Sequence, residues 1–172
     1  MKKLGIMTAL LVALVAPTMV RAEHLATVLT GYEETPAAVS THASGEFDAT
    51  IDHDDDRIDY KLTFSGLQGT VTQSHIHVGQ LSVTGSIVIF LCQTSANPDP
   101  TGLAPQCPQE GTVNGTITAA NVIAGSQPPQ QLAAGDLGGV IVAIRASAAY
   151  ANVHTNLSPG GEIRGQIRVI GR

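Results

Sequence analysis

The chain has 172 residues, with 9 basic against 14 acidic side chains, a formal net charge of −5, three tyrosines, three phenylalanines and no tryptophan. That balance excludes nucleic acid and anionic membrane surfaces as partners, because both reward basic patches. So few aromatic rings also leave no stacking platform for bases or sugars.

Residues 1–22 read as a secretory signal peptide: Lys2 and Lys3, an apolar run over Leu4–Ala16, then Val20-Arg21-Ala22 with small residues at the cleavage side. A membrane-spanning helix is the competing reading, but the run is shorter than the ~20 residues a bilayer requires and Pro17 interrupts it. No lipobox-like cysteine follows the run. Cleavage after Ala22 leaves 150 residues, with 6 basic against 14 acidic side chains and a formal charge of −8 once Lys2, Lys3 and Arg21 are lost. That length predicts a single domain over residues 23–172, periplasmic or secreted, with no stable membrane insertion after cleavage.

A β-rich opening runs from Leu25 to Tyr32 and stops at Glu33-Glu34-Thr35-Pro36. Ser44–Ile51 then alternates Gly45, Phe47, Ala49 and Ile51 against polar residues. Arg57–Leu67 repeats the pattern with Ile58, Tyr60, Leu62 and Phe64. Between them, Asp52-His53-Asp54-Asp55-Asp56 begins like a calcium loop, but Arg57 and Thr63 stand where that loop needs glycine and glutamate, which favours a solvated hairpin turn. Val71–Val78 carries His75 and His77 on one face and Ile76 and Val78 on the other. Gly85–Cys92, with its continuous Ile87-Val-Ile-Phe-Leu91, predicts a strand buried on both faces, central in the sheet or covered by a helix.

Cys92 and Cys107 are the only cysteines, and in an oxidising compartment an even pair flanking a Pro/Gly-rich loop predicts a disulfide. A thiolate pair on a metal is the alternative, for which nothing nearby supplies further ligands. Gly111–Thr118 reads as another strand, and Thr118 as the cap of a short helical piece at Ala119–Ile123. Asp136 can cap a helix over residues 137–146, in which Leu137, Val140, Ile141 and Ile144 recur at helical spacing; a strand through Val140–Ile144 competes, since Gly138 and Gly139 disfavour a helix. Tyr150, Asn152 and His154 then share one face of a strand, opposite Ala151 and Val153. Ser158-Pro-Gly-Gly161 turns the chain back into a last alternating strand, with Ile163, Gly165, Ile167 and Val169 against Glu162, Arg164, Gln166 and Arg168.

Several strands separated by Gly/Pro turns describe an all-β protein, a single antiparallel Greek-key-like β-sandwich with one short helix. Ser74-His-Ile-His-Val-Gly79 with Gly85-Ser-Ile-Val88, and Tyr150-x-Asn-Val-His-Thr155 with Pro159-Gly-Gly-Glu-Ile-Arg-Gly-Gln-Ile167, resemble the CHRD domain, named after chordin and found singly in bacterial exported proteins. Glu34-Thr-Pro36 and Ser65-Gly-Leu67 fit the same pattern, so the resemblance spans roughly residues 25–170. It implies a fold and an exported compartment more than a reaction, and it favours the helix before the Tyr150 strand.

Strand alternation turns His75, His77 and His154 away from the core, onto what the sequence presents as the protein surface. If the two strands are neighbours, the three imidazoles form a metal site for copper or zinc, because two rings at i and i+2 stand ~7 Å apart at the backbone and a third closes the set. The His-x-His strand is similar to the copper-binding strand of the copper-zinc superoxide dismutases, although the zinc loop of that family is not recognisable. Tyr150, Asn152, Glu162 and Arg164 are candidates for the surrounding shell, with Arg164 either a guiding cation or a salt-bridge partner of Glu162 or another carboxylate across the sheet. The alternative for the histidines is a polar structural cluster without metal. Three function classes follow: a transition-metal-binding exported protein, a non-enzymatic adhesion module for a protein partner, and a superoxide-dismutase-like redox enzyme. His24, His42 and His53 carry no pattern, and no serine sits in a nucleophile elbow. Metal affinity is expected to fall near pH ~6.5, where free imidazole protonates.

Overall fold

A computed structural model describes residues 22–126 and 130–171. The signal peptide predicted over residues 1–22 therefore lies outside the described residues except for Ala22. Nine strands form one sheet: β1 (Glu23–Thr30), β2 (Ser44–Ile51), β3 (Ile58–Ser65), β4 (Val71–Val78), β5 (Ser86–Cys92), β6 (Gly111–Ile117), β7 (Ala149–Thr155), β8 (Ile163–Gln166) and β9 (Arg168–Gly171). Helix α1 (Leu137–Arg145) precedes β7. The all-β fold with one short helix is as the sequence predicts.

The strand order is β5-β4-β7-β8-β1-β2-β3-β6, with β9 also on β1, and every ladder is antiparallel. The sheet curls until its two end strands approach one another, so residues from both halves of the sheet fill one core. Tyr60 on β3 donates its hydroxyl to Leu91 O on β5 at 2.6 Å, and the segment after β6 meets β5 through an Ile89–Val122 bridge and an Ile123 N to Val88 O bond. The Cys92–Cys107 disulfide ties the same two edges.

The position of β5 corrects one expectation. It is neither central nor covered by α1 but lies at the end of the sheet, and its double-sided burial comes from the curl and from the residues 122–123 that dress its outer edge. A run of apolar residues reports burial on both sides without saying what provides it.

Helix α1 forms where its apolar spacing places it, burying Leu137, Val140, Ile141 and Ile144. Asp136 caps it by accepting from Gly139 N at 2.9 Å, and a Cβ at Gly139 would overlap that carboxylate, which explains a glycine in the first turn. At the other end Arg145 forks both oxygens of Asp55 at 2.7 Å and reaches Glu23 at 2.9 Å, locking helix, β1 and the β2–β3 turn together. The acidic stretch at 52–56 is thus a hairpin turn, as its missing glycine and glutamate predict. The short turn at Ala119–Asn121 is also present, with Asn121 Oδ1 accepting from Thr118 N and Oγ1. Among the described residues, no helix is long and apolar enough to cross a membrane.

Candidate metal centre

The site lies on β4, β7 and β8, where the alternation of the sequence has an unusual outcome. On β2 and β3 the residues that point away from the core meet solvent, but every residue of β7 and β8 is buried. The inward side chains are Ile76, Ala151, Val153 and Ile163. The outward ones are His75, His77, Tyr150, Asn152, His154 and Arg164, and none is more than 6% exposed.

This overturns the expectation of a surface site. Three connections fold over the outer face: the Gly31–Glu33 turn with the chain to Pro36, residues 79–85, and residues 156–161. Arg164 holds the first two, donating from Nη1 to Thr35 Oγ1 at 2.7 Å and from Nη2 to Gln80 O and Val83 O at 3.2 and 3.0 Å. Periodicity gave the direction of these side chains correctly but carried no information on the loops that cover them.

The ladder makes β4 and β7 neighbours, pairing Gln73 with His154, His75 with Asn152 and His77 with Tyr150. The three histidine rings therefore meet. Their centroids lie 4.8 Å (His75–His154), 5.4 Å (His75–His77) and 5.9 Å (His77–His154) apart, and their ligand nitrogens lie within 4.8 Å of one another. Phe90 of β5 meets the His75 ring edge-on at 4.3 Å, and Tyr150 stacks on His77 at 4.6 Å with Arg164 over its other face at 3.5 Å.

Hydrogen bonding sets the tautomers. His154 Nδ1 donates to Pro159 O at 2.9 Å and His77 Nδ1 to Gly85 O at 3.1 Å, which leaves Nε2 of both rings with a lone pair. His75 Nδ1 then donates to His154 Nε2 at 3.1 Å, so its own Nε2 is also unprotonated. Carbonyl anchors of this kind hold ligating imidazoles at their second nitrogen. His75 Nε2 and His77 Nε2 are buried and have no partner.

Burial favours the neutral rings. It pushes His77 and His154 down to about 4 and His75 well below the ordinary histidine value, with the neighbouring histidines adding to the effect on His75 and His77. Protonation of this cluster is therefore displaced below the ~6.5 that the sequence suggested, to about 4 for His77 and His154.

The other predicted residues divide. Tyr150 and Asn152 border the rings, and Arg164 reaches them through Tyr150. Glu162 does not join them: its carboxylate accepts from Thr41 Oγ1, Gln68 N, Gly69 N and Thr155 Oγ1 at 2.7–3.3 Å, anchoring residues 68–69. Burial raises its pKa, but these donors outweigh that effect and the carboxyl lies below its usual value. No hydrogen bond joins Arg164 to Glu162, which sit in two separate networks; the carboxylate whose pKa Arg164 lowers is Glu34.

Sequence reasoning missed Glu34. Read as the stop of β1 and as part of the family pattern but not as a site residue, it is buried, accepts from Asn152 Nδ2 at 3.2 Å, and has its pKa raised to about 7 by burial, against the opposing effects of Asn152 and Arg164. Its place in Glu34-Thr-Pro36, apart from any strand pattern, was the available signal. The half-buried Asp52 and the exposed His53 and Asp54 also stand close together, at the β2–β3 hairpin turn.

Residues 25–167 match the family described as the CHRD domain. No curated protein and no solved structure matches the chain.

Proposed function

The chain belongs to the CHRD-domain family, and we propose that it is an exported protein that binds one transition-metal ion, copper or zinc, through His75, His77 and His154. The observation that carries this reading is a buried cluster of three neutral imidazoles whose Nδ1 atoms are all occupied, leaving the Nε2 lone pairs of His75 and His77 unpartnered. A purely structural polar cluster would satisfy those atoms, since a buried acceptor without a donor costs about 1–3 kcal/mol. Three imidazoles with no thiolate are a donor set for zinc or copper. The cysteines take no part, because Cys92 and Cys107 are joined to each other. That disulfide also supports export, since such bonds persist in oxidising compartments. A bound ion would supply Lewis acidity, or electron transfer if it is copper.

The experiment is elemental analysis of protein purified from its native compartment, followed by calorimetric titration of the metal-free chain with zinc(II) and copper(II). One ion per chain is expected. His75→Ala and His154→Ala should each weaken binding at least about a hundredfold, and His53→Ala should leave it unchanged. Equal loss in all three variants, or no binding to the wild type, overturns the reading and leaves the adhesion-module class in its place.

A further inference from the structure

Asn152 stands on the same face of β7 as His154, opposite His75 in the ladder, and is 1% exposed. Its side chain faces the His77 ring. The two ends of its amide are in different situations. The nitrogen donates to Glu34 Oε1 at 3.2 Å and lies 3.5 Å from Gly160 O, whereas Oδ1 is buried without any partner. The bond to Glu34 determines which end faces the histidines: a carboxylate accepts, so it holds the NH2 toward itself and turns the oxygen away. Gly161 leaves room for this contact, because a Cβ there would overlap both the Asn152 amide nitrogen and the Glu34 carboxylate.

Of the five buried side-chain atoms without a partner among the described residues, three belong to this cluster, His75 Nε2, His77 Nε2 and Asn152 Oδ1, with Asn152 opposite His75 in the ladder and its side chain against His77, and all three are acceptors. No hydrogen-bond donor points at them. One water has two protons and cannot satisfy three acceptors, while a cation can. Resting on the reading of the histidines as a metal site, we propose that Asn152 completes it: its amide oxygen, held toward the imidazoles by the bond from its amide nitrogen to Glu34, is a further donor to the same ion. Glu34 is then a positioning residue that does not itself touch the metal. The set is then Nε2 of His75, Nε2 of His77 and the Asn152 amide oxygen, with His154 Nε2 joining as the third nitrogen once the ion displaces the bond it accepts from His75 Nδ1, and all four ligands are neutral.

The test uses cobalt(II) as a visible-absorbing probe of the full-length, metal-free chain, with zinc(II) competition for affinity. Asn152→Leu, similar in volume and without an acceptor, is expected to weaken binding about ten- to a hundredfold and to shift the cobalt absorption bands. Glu34→Gln keeps an acceptor for the amide nitrogen and should retain the wild-type spectrum, whereas Glu34→Ala should lose about tenfold in affinity. The exchanged pair Glu34→Gln with Asn152→Asp preserves the bond in reverse and places a carboxylate on the ion, so binding should tighten at least about tenfold. This pair keeps the inference testable if Asn152→Leu fails to fold. Wild-type affinity and spectrum in Asn152→Leu, or no tightening in the exchanged pair, overturns the role of Asn152 while the histidine site stands. If the wild type takes up no cobalt, or His75→Ala binds it as well as the wild type does, the metal site itself fails and Asn152 with it.

Discussion

The β2–β3 hairpin and the β4–β7–β8 segment obey the same strand alternation, yet their outward faces live in different media. On the hairpin, Glu46, Asp48, Asp59 and Lys61 point into water, and Asp48 faces Lys61 across the ladder. On the other segment, His75, Asn152, His154 and Arg164 point the same way and are closed over by three loops. A solvated polar group asks little of its neighbours, whereas a buried one must be paired or its cost appears in stability. Most of the buried set is paired with care: Arg164 has three acceptors and an aromatic face, and Glu162 has four donors. Gln130 Oε1 and Gln166 Oε1 are unpartnered too, so what makes the atoms of His75, His77 and Asn152 informative is that three acceptors without a donor belong to facing residues of one ladder.

Acid should break the comparison most strongly, because the covered half holds the histidines that burial keeps neutral. In the unfolded chain their pKa is ~6.5, while in the fold His77 and His154 lie at about 4 and His75 is also well below its ordinary value. Between these values the unfolded state binds more protons, so the stability present at neutral pH is lost as pH falls from 6.5 toward 4. Glu34 works the other way. Raised to about 7 from an ordinary 4.5, it binds a proton in the fold first and favours folding as pH falls through that window. Three histidines against one glutamate leave a net uptake of about two protons on unfolding. Urea melts of the metal-free protein from pH 7.5 to 4 should show this decline, and a flat profile would contradict the burial of the cluster.

The next largest contrast sets Arg164 against Lys61, two outward cations on strands of the same sheet. Arg164→Ala should cost about 3–5 kcal/mol, because it removes a fully buried side chain with its bonds to Thr35 Oγ1, Gln80 O and Val83 O and opens a cavity beneath the loops. Lys61→Ala should stay within about 0.5 kcal/mol. Denaturant unfolding of both variants measures the difference.

Reduction of Cys92–Cys107 comes third. The bond joins the end of β5 in the covered half to the loop leading into β6 in the open half, and its separation of 15 residues corresponds to about 3 kcal/mol of chain entropy. Thermal melts with and without reductant should show that loss. Smallest is Asp136→Ala, which removes the cap of α1 and should cost about 1 kcal/mol by the same assay.

Much of this was legible in the sequence. The alternation in Ser44–Ile51 and Arg57–Leu67 placed Phe47, Tyr60, Leu62 and Phe64 in the core, and the Asp136 cap with its apolar spacing located α1. The three histidines were singled out together by face. Their burial was not legible, because it is created by residues 31–36, 79–85 and 156–161, whose fold over the sheet follows from long-range bonds such as Arg164 to Val83 O. Glu34 was hidden for the same reason, since its partner Asn152 lies 118 residues away. Short-range pattern fixes which way a side chain points; what it meets there is set by tertiary contacts.

The measurement that tests the account most directly is a calorimetric zinc(II) titration of the metal-free full-length chain at pH 7.0 and at pH 5.5, in parallel with His75→Ala. A buried, neutral histidine cluster predicts one ion per chain at both pH values, with little loss of affinity at 5.5 because His77 and His154 protonate at about 4 and burial holds His75 well below its ordinary value, and no comparable binding in the variant. Binding that collapses by pH 5.5, or that persists undiminished in His75→Ala, would contradict it.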